Sequence, residues 1–274
     1  DIMNTEPVWT FTSIELFFLG GLLQLPGFLG VADPFHSCTQ ADIQVYLQLA
    51  RQSLLQREYL NHSNGSEQPD PALSRLLHAA TAAAQVMIAV HNDISAFAYL
   101  TSDGIVLQQP MPENQVGFSL LDNLSSLRPR LQALLAVPPL VPAPGTQITI
   151  AQPVLEQALI MLAEDPSADQ IAACAASLVQ IGLPPESAAA FALALAHPAS
   201  TGYVTIVCRE GTTLKRQSGL AWLAATSGGW IAELPSTNFP ATVTWYPATS
   251  YIIELAVDTL LSPISGSPPF SSSY

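Results

Sequence analysis

Read by the spacing of its apolar positions, the chain alternates between helical and extended stretches. Residues 14–23 are apolar and are opened by Thr12-Ser13-Ile14-Glu15, a capping spacing that predicts a helix from Thr12 to about Gln24. Thr39 caps a second predicted helix that ends near Tyr59, with Ile43, Leu47, Leu54 and Leu55 as its apolar series. A third is expected over residues 71–84, and the polar run 61–71 before it reads as a loop. The period then shortens. Residues 86–90, 97–100, 105–108 and 116–120 are β-rich runs, and Thr101-Ser102-Asp103-Gly104 places a hairpin turn between the second and third. Residues 121–135 return to helical spacing, with a kink expected at Pro129.

Residues 138–145 (PPLVPAPG) form a proline-rich connector. Beyond it the order recurs. Helices are expected over residues 151–163, 167–180 and 185–195, strands over 203–208, 219–225, 230–234 and 243–246, and a closing helix over 249–261. Phe97-Ala98-Tyr99-Leu100 followed by Gly104 and the strand to Pro110 resembles Leu220-Ala221-Trp222-Leu223 followed by Gly229 and the strand to Pro235. Each hairpin is followed by a short strand and a helix ending in a leucine pair, Leu134-Leu135 and Leu260-Leu261. The pattern predicts an α+β fold, a duplicated unit of antiparallel sheet plus helices arranged with quasi-two-fold symmetry. The expected organisation is a first repeat at 8–137, the connector region at 138–150, a second repeat at 151–262 and a disordered Ser/Pro tail at 263–274.

Charge narrows the partners. The 274 residues carry a formal net charge of -13, and Lys215 is the sole lysine. Nucleic-acid binding needs clustered cations to displace counterions, so it is excluded as an expectation, as is an anionic membrane surface. Only 11% of residues are charged against 49% hydrophobic, so much of the surface must be apolar or neutral, the composition of a binding face. Residues 14–31 are apolar but hold Glu15 and Pro26, too interrupted to span a bilayer as one helix. No basic residue precedes them, so no secretory signal is expected. Cys38, Cys174 and Cys208 are scattered, which fits free thiols in a reducing, cytoplasmic compartment. Cys174 and Cys208 read as small buried hydrophobes. The two Asn-x-Ser sequons at Asn61 and Asn64 are then read as chance.

The search for chemistry returns no constellation. There is no GxGxxG, P-loop or GxSxG. The five histidines never fall at ligand spacing, and no metal, cofactor or catalytic residue is expected. His91 and Asp93 are two apart and would share one face of a strand, but a strand-end turn explains them. Glu164, Asp165 and Asp169 form an acidic cluster without the alternating ligand spacing of a calcium loop, and read as helix capping. The apolar signal is stronger. Residues 167–195 are rich in alanine and almost uncharged, and an apolar groove that takes an amphipathic helix is a known mode of recognition.

The order of these pieces resembles the EspG family of type VII (ESX) secretion chaperones. The resemblance rests on Phe11-Thr12-Ser13-Ile14-Glu15-Leu16 with Leu25-Pro26-Gly27, on the run from Leu54-Leu55 to Leu60, and on the run from Asp70 to Leu77. It is strongest at Ile181-Gly182-Leu183-Pro184-Pro185-Glu186-Ser187-Ala188, at Ala196-His197-Pro198-Ala199, and at Val243-Thr244-Trp245-Tyr246-Pro247-Ala248-Thr249. It implies a quasi-two-fold α/β fold and a cytosolic chaperone that binds the apolar tip of a helical PE-PPE-like secretion substrate and keeps it soluble. The turn between residues 90 and 97 is shorter than the substrate-touching loop of many members. By position, the resemblance points to Asn92, Asp93, Ile94 and Ser95 in that turn, and to Leu178, Ile181, Leu183 and Phe191 on the alanine-rich helices, as the partner-binding residues. A self-assembling homodimer with no client is the alternative, and an enzyme the third.

Overall fold

The computed structural model describes residues 8–63, 66–162, 166–211, 213–234, 236 and 242–261. In chain order the first elements are β1 (Trp9–Phe11), α1 (Ser13–Leu23), α2 (Gln40–Gln56), β2 (Leu60–Ser63), β3 (Ser66–Pro69), α3 (Pro71–Ala82), β4 (Gln85–His91), β5 (Ile94–Thr101), β6 (Gly104–Met111), β7 (Gln115–Leu121) and α4 (Leu124–Leu134). There follow β8 (Ile148–Ala151), α5 (Gln152–Met161), α6 (Ala168–Gln180), α7 (Pro185–Ala196), β9 (Ser200–Glu210), β10 (Thr213–Ala225), β11 (Gly228–Leu234), β12 (Thr242–Ala248) and α8 (Ser250–Leu261). The class is α+β, helices with antiparallel sheet, as the pattern predicts. The chain divides into two compact units, Asp1–Met87 with Ser95–Leu127, and Ile88–Ile94 with Arg128–Tyr274. The order helix, four strands, helix occurs twice, from α3 to α4 and from α7 to α8. No described helix is long and apolar enough to cross a membrane.

The first unit holds strands in the order β1, β7, β6, β5, all antiparallel. Its core is aromatic and leucine-rich: Phe11 and Phe28 pack edge-on against Phe118, with ring centroids 6.0 and 5.4 Å away. Leu16, Leu19, Leu54, Leu73 and Leu77 from the helices are buried. Two polar groups enter this core with partners. Tyr99 donates to Gln108 Oε1 at 2.6 Å, and Gln108 Nε2 donates to the Leu29 carbonyl at 2.7 Å. Glu15 closes the predicted capping box, accepting from Thr12 N–H at 2.8 Å. The same carboxylate takes Ser53 Oγ at 2.7 Å and faces Arg57 at 3.3 Å.

Residues 61–71, expected as loop, contain the β2–β3 hairpin, registered Leu60↔Pro69 to Ser63↔Ser66. Its sequence is too polar to show strand patterning; a cross-element ion pair supplies what side-chain burial does not. Arg51 of α2 donates through Nε to Glu67 Oε2 at 2.8 Å and through Nη2 to Oε1. Those bonds hold the Glu67 carboxyl below its ordinary pKa.

The second unit orders its strands β4, β9, β10, β11, β12, β8. Trp230, Trp245, Phe191, Leu223, Ile148 and Ile150 share its core with α5, α6 and α7. The connector crosses β11: Ala143 N–H bonds the Gly229 carbonyl at 3.1 Å, and Gly229 N–H bonds Val141 at 2.9 Å. That crossing explains Gly228, whose φ is +131° and where a Cβ would lie 2.5 Å from Ala143 Cα. Gly104 takes the same place in the first hairpin, with φ +139° and the Leu121 carbonyl 2.6 Å from a Cβ. In both hairpins the loop is the two residues before the glycine, Ser102-Asp103 and Thr226-Ser227, and the glycine opens the next strand.

Several boundaries differ from expectation. β1 and β8 were not foreseen, nor was the outer half of β10. Leu121 belongs to β7, and α4 begins three residues later behind Asn123, whose side chain accepts from Ser126 N–H at 3.1 Å. All three cysteines are free thiols; Cys174 is buried, which pushes its pKa up, while Cys208 is half-buried rather than interior. Asn64, Glu164, Asp165, Pro235 and the tail 263–274 lie outside the described residues.

Candidate functional site

The turn after β4 is fixed by its own side chains. Asn92 sits in the left-handed region at φ 51°, a conformation asparagine tolerates better than most residues. Its N–H donates to the Thr201 carbonyl at 2.7 Å, and its Oδ1 accepts from Thr201 N–H at 2.9 Å. This reciprocal clamp locks the turn onto β9. Asp93 and Ile94 then stand exposed and Ser95 is half-buried.

His91 does not meet Asp93. Its Nδ1 lies 2.9 Å from the Leu134 carbonyl, which can only accept, so Nδ1 carries the proton. Nε2, the other ring nitrogen, lies 2.8 Å from Ser200 Oγ. Trp222 Nε1 donates to the same hydroxyl at 3.4 Å. A serine–histidine contact of this length resembles the start of a nucleophile dyad. Here Ser200 is 2% exposed, and its hydroxyl already has His91 and Trp222 as partners inside the unit. It joins β4, β9, β10 and the end of α4. Sequence reasoning missed Ser200 because its partner is more than a hundred residues away. Among the described residues no group of three or more His, Cys, Asp or Glu could hold a metal ion.

The alanine-rich helices divide the expected contact residues. The Ser167–Gln170 capping box starts α6, Ser167 N–H donating to Gln170 Oε1 at 2.8 Å, and Gly182 at φ +100° ends it. Leu183 N–H reaches back to the Leu178 carbonyl at 3.2 Å. Proline at the first turn of α7 starts the next helix. Leu178, Leu183 and Phe191 are buried. Phe191 stacks edge-on against Trp230 at 5.4 Å and tilts against Trp245 at 5.5 Å. These three side chains build the interior of the second unit and present nothing to a partner. The reason is geometric: small alanines let α6 and α7 sit close, so the large residues between them turn inward. Ile181 remains outside at 50% exposure, and Val179, two residues earlier, is also exposed. The outward residues Ile94 and Ile181 offer apolar contact rather than acid–base chemistry.

A sequence profile of the EspG family matches residues 16–258. The chain belongs to the EspG family. No curated protein matches it. Among solved structures, this EspG-family chain is similar to the Mycobacterium tuberculosis type VII secretion system chaperone EspG5, solved in complex with the PE25-PPE41 dimer. The TM-score is 0.63 at 12% identity, covering 93% of this chain and 96% of EspG5. At that identity the likeness is one of fold.

Proposed function

We propose that this EspG-family chain is a cytosolic type VII secretion chaperone that binds the apolar tip of a helical PE-PPE-like substrate and holds it soluble before export. The observation that carries the reading is the family match over most of the chain, joined to a fold shared with a chaperone solved on a PE-PPE dimer. The candidate contacts are the clamped turn Asn92 to Ser95 and the shoulder at Val179 and Ile181. Ile94 and Ile181 are 45% and 50% exposed, so covering each is worth about 1 kcal/mol, half the range for a fully buried aliphatic side chain. Rigid presentation by the Asn92–Thr201 clamp lowers the ordering cost of docking.

The test is co-expression with a PE-PPE pair from the same genome, followed by size-exclusion chromatography and calorimetry. One co-eluting complex is expected. Ile94→Asp and Ile181→Asp should each weaken binding by about tenfold or more, since each removes apolar burial and adds a charge to be desolvated, with thermal unfolding unchanged. Leu183→Asp should instead unfold the protein, because Leu183 is core. Failure to capture any PE-PPE pair from that genome overturns the proposal.

A further inference from the structure

We infer that the proline-rich connector is a docking motif for a partner protein that grips polyproline II in a groove lined by aromatic side chains. The inference does not rest on the client reading. Residues 138–144 read Pro-Pro-Leu-Val-Pro-Ala-Pro. Each proline holds its φ near about -65°, and a residue that precedes proline is pushed to the extended or polyproline II region. Leu140 alone among them is bound by neither rule. The conformation these residues favour is a left-handed helix of three residues per turn with no internal hydrogen bonds.

Burial along the segment keeps that period. Val137 and Leu140 are half-buried and Ala143 is buried, while Pro139, Pro142 and Gly145 are exposed, as are Val141 and Pro144. One edge of three therefore faces the fold, and it is pinned there. A Cβ on Gly229 would stand 3.1 Å from Leu140 Cδ1, and one on Gly228 would stand 2.5 Å from Ala143 Cα. Ala143 N–H donates to the Gly229 carbonyl at 3.1 Å, and Gly229 N–H to the Val141 carbonyl at 2.9 Å. Just beyond, Thr146 N–H donates to Ser187 Oγ at 2.9 Å, and that hydroxyl donates back to the Thr146 carbonyl at 3.1 Å. The connector is fixed to β11 and α7 along one edge and offers the other two to solvent.

Those two edges have the chemistry of a polyproline ligand. Pro139 and Pro142 are three apart and share an edge, the PxxP spacing that aromatic-lined grooves accept. Val141 between the edges is 65% exposed, an apolar side chain the interior does not use. The four prolines of residues 138–144 have no N–H, so the outward backbone offers acceptors, which suits the indole and phenol donors of an aromatic groove. The segment is already ordered by β11, so docking avoids most of the cost of fixing it. Charge narrows the partner further. Between Arg130 and Glu156 there is no charged residue, in a chain of net charge -13. A groove with an acidic rim is repelled by that field, so the partner has a neutral or basic one. Seven residues of this helix span only about 22 Å, a contact at the small, transient end of specific interfaces.

The full chain, titrated into isotope-labelled SH3, WW and EVH1 domains chosen for rims that are not acidic, tests this by NMR of the probe. Concentrations to about 1 mM reach contacts of correspondingly weak Kd. The expected result is saturable shifts confined to the aromatic groove of at least one probe. Pro139→Ala with Pro142→Ala should weaken that binding about tenfold or more, because both edge prolines leave the groove. Val141→Asp puts a charge into an apolar contact and should weaken it similarly. Its side chain is outside, so it serves if the proline pair lowers Tm. No shift in any of the three probes overturns the inference, as does binding that neither variant weakens. If the variants leave the probes unmoved and lower client capture instead, the connector belongs to the client and the inference is wrong. Ile94→Asp and Ile181→Asp should leave probe binding intact, which separates its failure from that of the client reading.

Discussion

Glu15 is an acid among leucines, 3% exposed between Ile14 and Leu16. Each of its oxygens is occupied there: Oε2 by Thr12 N–H, Oε1 by Ser53, and both by Arg57. Arg57 in turn bonds Thr10 Oγ1 at 2.8 Å and lies 4.3 Å over the Tyr59 ring. One carboxylate thus ties β1, α1 and α2. The sequence shows only its capping role, because the Thr12 spacing is local while Ser53 and Arg57 are some forty residues away. Glu15→Ala should leave the guanidinium half-buried without its counter-charge. Removing one partner of a buried pair costs about 3–5 kcal/mol; with Arg57 31% exposed, a loss of about 2–4 kcal/mol is expected. Urea unfolding followed by fluorescence measures it. A loss under about 0.5 kcal/mol, the size of an ordinary surface substitution, would show that the capping bond alone matters.

At the scale of elements, local chemistry predicts well and pairing predicts poorly. The capping boxes at Thr12, Thr39 and Ser167, the proline start of α7 and the Gly182 stop are all as the residues require, since each depends on contacts within four positions. β1 and β8 are three- and four-residue edge strands, too short for alternation to register. The outer half of β10, Thr213 to Ser218, pairs with β9 through a register shift near Arg216, which scrambles its period. Of the contact residues expected from the sequence, Leu178, Leu183 and Phe191 prove buried while Ile94 and Ile181 stand exposed. Apolarity selected Leu178, Leu183 and Phe191, but the same property marks core and contact surface, and only packing separates them. The two hairpin glycines are the most demanding element-level feature. Gly104→Ala and Gly228→Ala each force a side chain into positive φ and against backbone atoms, for a cost of about 2 kcal/mol or more. Tm should fall by several degrees in either variant, and equal stability to the parent would mean that the strand starts relax freely.

Across the whole molecule, 21 acidic residues face 8 basic ones, so every association occurs within a field of one sign. The proposed client surface avoids that field by presenting neutral side chains, so it should answer salt weakly. Screening shortens from about 30 Å at 0.01 M salt to about 8 Å at 0.15 M. Client capture through Ile94 and Ile181 depends on apolar burial, which weak salt barely alters, so its Kd should move less than about threefold, or roughly 0.7 kcal/mol. A salt titration followed by calorimetry reads it. A client Kd that loosens tenfold with salt would mean that opposite charges hold the client. The contact would then lie among the few cations, Arg209, Lys215 and Arg216 on the β9–β10 ribbon foremost, and not on the two isoleucines.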